Sequence, residues 1–253
     1  MENKQYLTPL AIVVAGLLIG GALYFRPATT APSGNQQAKT DLSKLAPVKA
    51  GEHIRGNIKA PLKIVEFSDL ECPFCKAFHL AMEKLYDKYG ASGKVAWVYR
   101  HFPLDKGAQP LHPKAGPEAV AAACVAKLAG NDSFWSYIDR IFEVTPSNNG
   151  LNLDLLPQFA ADLKVDQAAF TKCTTNNEVK SIIDDHYEDG VNVGVDGTPY
   201  TIVLLPNNEK FLLFREEIPA TVDAETKAIL DDLYKFEEES LQFLREQAQK
   251  AQS

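Results

Sequence analysis

Cationic side chains are in deficit in this chain: 26 Lys and Arg face 33 Asp and Glu, a formal net charge of -7 over 253 residues. A surface that tracks phosphates needs the opposite field, so nucleic acid is excluded as an expected partner. Cysteine is scarce as well. Of the four, Cys72, Cys75, Cys124 and Cys173, the last two stand 49 positions apart, which rules out a pair of zinc knuckles. No internal repeat marks a solenoid.

What is present is an ordinary globular balance of 45% hydrophobic and 23% charged residues, enough for a core that needs no metal. The longest apolar run, "YLTPLAIVVAGLLIGGALYF" from Tyr6 to Phe25, is uncharged and as a helix spans roughly 30 Å, the thickness of a hydrocarbon layer. It reads as an N-terminal transmembrane helix and anchor over residues 1–26 rather than a cleaved signal peptide. Its apolar core is long for a signal, and the best small-residue site, Thr29 to Ala31, is followed by Pro32. Lys4 and the amino terminus against Arg26 favour an inside amino terminus. Residues 27–47, rich in Pro, Thr, Ser and Gln, read as a flexible tether.

Beyond the tether, "LKIVEF" (Leu62 to Phe67) and "KVAWVYRHF" (Lys94 to Phe102) carry the β-branched and aromatic runs of strands. Between them, Phe74, Phe78, Met82, Leu85 and Tyr89 recur at helical spacing, with Pro73 suited to the first turn and Gly90 to the end. Five short helical segments follow between Pro117 and Gly190, then two strands in "TPYTIVLLP" and "KFLLFR" joined by Asn207-Asn208 as a hairpin, then a long acidic helix from Ala224. Asn131, in "NDS", reads as a helix cap rather than a glycosylation site. The order implies one α/β domain, residues 48–110 and 190–253, split by an all-helical insertion at 111–189.

Cys72 and Cys75 open the first helix. Its exposed N–H groups and the positive end of its dipole favour a thiolate on Cys72, which makes Cys72 the expected nucleophile and Cys75 the thiol that resolves a mixed disulfide. A soft-metal site of Cys72, Cys75 and His79, or a purely structural disulfide, are the alternatives; His79, His101 and His112 read as surface or hydrogen-bonded residues rather than ligands. Cys124 and Cys173 lie on insertion helices and are expected to form a structural disulfide, with two buried free thiols as the alternative.

Three stretches, "VEFSDLECPFC" (Val65 to Cys75), "FWSYIDRIFE" (Phe134 to Glu143) and "GVDGTPY" (Gly194 to Tyr200), resemble the DsbA-like branch of the thioredoxin superfamily, in particular its membrane-tethered bacterial members. The resemblance runs from about Gly51 to Tyr234 and implies a thioredoxin fold with an inserted helical domain. It implies that Cys72 and Cys75 are the redox pair. It also implies that Thr198-Pro199 is a cis-proline loop which, with Pro73 and Phe74, lines the substrate groove. Glu66 becomes a buried acid that serves the pair, the alternative being an outward-facing strand residue. No cofactor and no metal are implied. The chain departs from the best-known soluble oxidases of the family at Phe74, where they carry His; a phenyl ring stabilises a thiolate less, so a moderate oxidant is expected.

The expected function is a thiol:disulfide oxidoreductase that oxidises cysteine pairs in extracytoplasmic proteins of a bacterium, held at the cell membrane and recharged by a quinone-coupled membrane oxidase. The alternatives are an isomerase or reductase, although no dimerisation domain is visible between the tether and the first strand, and a tethered peptide-binding adaptor without redox turnover.

Overall fold

The computed structural model describes residues 40–250 except 107 and 177. The expected membrane anchor, 1–26, and the tether as far as residue 39 lie outside the described residues. Among those described, no helix is long and apolar enough to cross a membrane.

Five strands form one sheet in the order β1-β3-β2-β4-β5: β1 His53–Gly56, β2 Leu62–Ser68, β3 Val95–His101, β4 Tyr200–Leu204 and β5 Lys210–Leu212. β2 and β3 are parallel, and the other pairs are antiparallel. The parallel pair is joined by helix α1, Pro73–Tyr89, which parallel strands require as a crossover. Alternation along β2 divides the core. Leu62 and Ile64 face α1 and pack with Phe78, Met82 and Trp97, while Val65 and Phe67 pack on the other face with Val98, Tyr200 and Ile202. Helix α7, Ala224–Lys250, lies against α1 through Ile229, Leu230 and Leu233.

Between β3 and β4 come α2 Ala115–Ala129, α3 Asn131–Val144, α4 Leu155–Asp162, α5 Gln167–Thr175 and α6 Lys180–Val193. Cys124 of α2 and Cys173 of α5 are joined as a disulfide. Helix α6 closes on the second face of the sheet, and it does so at a glycine: a Cβ on Gly190 would stand 2.6 Å from the Phe102 ring.

Three local readings are corrected. β1 was not anticipated, because "HIRG" is too short to show alternation and becomes a strand only by pairing with β3. Asn131 does not cap α3. Gly130 occupies the cap, and the Asn131 side chain instead accepts from Ile54 N at 3.1 Å and donates to Ile54 O at 2.7 Å, so it covers the open edge of β1. The stretch from Thr40 to Pro47 belongs to the fold rather than to a free tether. Leu45 is buried, Asp41 N donates to Val193 O at 2.9 Å, and Ala46 N donates to Asp189 Oδ1 at 2.8 Å. Two leucines in a polar segment are enough to seat it.

The disulfide closes a loop across 49 residues, worth about 4 kcal/mol in the chain-entropy model. Replacing Cys124 and Cys173 together by Ala, in a background where Cys72 and Cys75 are Ser, is expected to lower the unfolding free energy by about that amount in urea denaturation.

Candidate active site

The Cys72 and Cys75 pair sits where β2 turns into α1. Cys72 is the N-cap residue and Pro73 the first helical residue, whose missing N–H costs the helix nothing at that position. Cys72 is 4% exposed and Cys75 fully covered, so only Cys72 can be reached by another molecule. Phe74, by contrast, is 59% exposed; its ring stands out beside the pair instead of roofing it. Both cysteines are free thiols.

The peptide bond between Thr198 and Pro199 is cis, and Thr198 O lies 3.3 Å from Cys72 Sγ, which donates to it. The Cys72 thiol is lowered to about 6, chiefly by the hydrogen bond from the Cys75 thiol. Burial opposes that lowering, and the Thr198 side chain and the N–H groups of Cys75 and Phe74 reinforce it. Phe74 thus acts on the thiolate through its backbone. Cys75 moves the other way, well above the ordinary thiol range, because burial, the hydrogen bond to Cys72 and the charges of Cys72, Glu66 and Asp69 all disfavour its ionisation.

Glu66 of β2 is fully buried on the α1 side of the sheet, not outward-facing. Its Oε2 accepts from Trp97 Nε1 at 2.9 Å, and burial pushes the carboxyl up to about 7 against the pull of Ser68 and Trp97. His79, one turn beyond Cys75, does not join the cysteines: its Nε2 lies 2.8 Å from Asp139 Oδ1, and Arg55 holds the other oxygen of that carboxylate at 2.6 Å. With Glu83, His79 and Asp139 are near enough to one another to hold a cation. Yet His79 Nδ1 is buried without a partner, which places the ring proton on Nε2, where it is given to Asp139.

A family model described as thioredoxin matches residues 49–229, well over half of the chain. The chain belongs to the thioredoxin family. Among solved structures, DsbA2 of Pseudomonas aeruginosa is 26% identical with a TM-score of 0.54, the match covering 74% of this chain and 96% of that one. Oxidised BdbD of Bacillus subtilis shares the fold at 21% identity and a TM-score of 0.56, with 74% and 96% covered. Within the family the likeness is to the DsbA branch. Of curated relatives, a probable disulfide bond formation protein D of Bacillus cereus is 28% identical over 153 residues, 58% of this chain and 68% of that protein. A Na(+)/H(+) antiporter NhaA 1 of Mycolicibacterium vanbaalenii is 36% identical over 103 residues, 40% of this chain; the match spans only 15% of the antiporter's length.

In this thioredoxin-family chain the pair is held by residues the sequence did not single out. Asp69 accepts hydrogen bonds from Glu71 N at 2.7 Å, Leu104 N at 2.8 Å and His112 Nδ1 at 3.0 Å, fixing the turn that ends in Cys72. Only the first is local, and an Asp two residues before the N–H that donates to it was its one sequence signal. Glu71, buried next to Cys72, takes N–H groups of Gly150 and Leu151 on its carboxylate, while its carbonyl takes Asn148 N at 2.8 Å. The turn so gripped runs through Ser147, Asn148 and Asn149, all left-handed with φ of 63°, 51° and 66°. Beneath it the buried Glu118 of α2 is pushed up to about 10 by burial and by Glu71, so Glu118 is neutral.

These settings give a direct expectation. Ultraviolet absorbance of the thiolate should show Cys72 titrating near 6, an inflection absent in Cys72→Ser and moved upward in Cys75→Ala, which removes the main donor. Because the folded value lies below the ordinary 9.0, the unfolded chain binds more protons between the two. The thiolate's contribution is therefore complete above 9 and fades as pH falls toward 6, so reduced protein should gain stability relative to oxidised protein as pH rises through that window.

Proposed function

We propose that the chain is a protein thiol:disulfide oxidoreductase that oxidises cysteine pairs in extracytoplasmic proteins. The observation that carries this reading is the inequality of the two thiols: a reachable, acidic Cys72 beside a covered Cys75 that keeps its proton. A substrate thiolate attacks the Cys72 sulfur of the oxidised pair; the Cys72–Cys75 bond breaks, and Cys75 leaves as a thiolate that takes the proton of Glu66. The second substrate thiol, losing its proton, then attacks the substrate sulfur joined to Cys72. A substrate disulfide forms and Cys72 leaves as the stabilised thiolate.

The same inequality supports roles for the neighbours. Phe74, exposed beside Cys72, offers an apolar contact to an incoming chain, and the Thr198-Pro199 loop lies against the same sulfur, with Pro73 starting the helix. The Cys124–Cys173 disulfide supports a place in an oxidising compartment, the extracytoplasmic side of a bacterial membrane. On this reading residues 1–26 anchor the chain there, and a quinone-coupled membrane oxidase restores the Cys72–Cys75 disulfide.

Equilibration with glutathione mixtures is expected to give a reduction potential between the roughly -270 mV of thioredoxin and the roughly -120 mV of the strongest family oxidant, because Cys72 near 6 is an intermediate leaving group. In cells, Cys75→Ser should accumulate mixed disulfides on Cys72, and Cys72→Ser should form none and lose all oxidase activity. A potential at or below that of thioredoxin would turn the direction to reduction. Full function in Cys72→Ser would make the protein a binding adaptor.

A further inference from the structure

Glu66 lies opposite Tyr99 of β3 and Thr201 of β4, and its two oxygens are treated differently. Oε2 is taken by the Trp97 indole N–H at 2.9 Å. Oε1 is buried with no hydrogen-bond partner, as are the Ser68, Tyr99 and Thr201 hydroxyls on the surrounding strands. The charges that meet across this space are anionic or neutral: Cys72 and Cys75 from α1, Asp69 from the turn after β2, and Tyr99 from β3. Among the described residues, no cation forms an ion pair with Glu66; the nearby Ser68 hydroxyl also pulls its carboxyl down, and the indole N–H gives the carboxylate its one well-formed hydrogen bond.

That indole cannot swing away. Its ring is packed between His79, centroids 4.9 Å apart, and Trp135, 4.5 Å apart, with the Arg55 guanidinium 5.5 Å from its centre. His79 is itself tied to Asp139, and Asp139 to Arg55. A donor locked at one carboxylate oxygen leaves the other as the oxygen that can gain and lose a proton.

We infer that Trp97 is a positioning residue for the thiol exchange: its N–H pins Glu66 by Oε2 and leaves Oε1 to take and return the Cys75 proton. This rests on the exchange reading above. In ring closure Cys75 sulfur attacks Cys72 of a mixed disulfide, a Cys72–Cys75 bond forms, the partner departs as a thiolate, and the Cys75 proton passes to Oε1. Trp97 touches neither sulfur; it favours the ionised form of Glu66, ready to accept.

The test is the unimolecular closing rate of a glutathione mixed disulfide on Cys72, followed by acid-quenched sampling across neutral pH. The native protein should show an inflection near 7, set by Glu66. Trp97→Phe, which keeps an aromatic ring and deletes the donor, should move it up by about one pH unit and slow closing at neutral pH about fivefold. Should that variant fold poorly, replacing both tryptophans by 7-azatryptophan gives a stronger donor of the same shape and should move the inflection down. Trp135 Nε1 has no hydrogen-bond partner, so the shift reports Trp97. Glu66→Gln should abolish the inflection, and adding Trp97→Phe to it should change nothing further.

An inflection that stays put in both tryptophan replacements overturns the role of Trp97 while leaving Glu66 intact. One that survives Glu66→Gln overturns the inference through Glu66 itself. A mixed disulfide that never closes, even in the native protein, overturns the exchange reading on which it rests.

Discussion

Two thiols one helical turn apart compete for a proton, and the outcome leaves one reachable and readily ionised, the other covered and protonated. At the start of α1 the competition is settled by geometry. Cys72 caps the helix, where the N–H groups of Phe74 and Cys75 and the Cys75 thiol converge on it, while Cys75 is carried inward to the face that α1 lays on the sheet. A hydrogen bond between the two lowers one and raises the other, so a single contact sets both thiols in opposite directions.

The remaining architecture holds that contact in place. The parallel β2–β3 pair sets Glu66 and Trp97 on the side that α1 covers, and the chain must then turn sharply into the helix within Asp69, Leu70 and Glu71. Asp69 ties this turn to Leu104 and His112 beyond β3, and Glu71 ties it to the loop between α3 and α4. The helical insertion is therefore not an appendage to the thioredoxin fold. It supplies one wall of the turn that aims Cys72, and the Cys124–Cys173 bond braces α2, the helix that brings Glu118 under that wall.

What could be read in the sequence was what is written locally. The cysteine pair, Pro73 and the helical spacing of Phe78, Met82 and Leu85 lie within two dozen residues of one another, and β2, β3 and β4 announce themselves by β-branched and aromatic runs. Residues whose meaning depends on distant partners were not legible. Asp69 looks like any turn aspartate until Leu104 and His112 arrive, and Glu71 like a surface charge until Gly150 and Leu151 do. Asn131 was misread because a capping residue and an edge-strand clasp have the same local surroundings, and Leu42 and Leu45 because two leucines are lost in the average of a polar stretch. Trp97 was visible as a strand aromatic; that its nitrogen serves Glu66 comes only from strand register.

The left-handed turn at Ser147, Asn148 and Asn149 has a bearing on how this chain can diverge. Each ordinary side chain in that conformation costs about 1–2 kcal/mol, and asparagine is among the few that tolerate it. Core helices accept many exchanges of one aliphatic for another, whereas these three positions admit little beyond Asn, Asp, Ser and Gly without unseating the loop from Glu71. Drift among descendants of this sequence should then be slowest not only at the cysteines but in a short turn some seventy residues away in the chain, whose composition is held first by backbone geometry and, at Asn149, by the side-chain bond to Leu111 O.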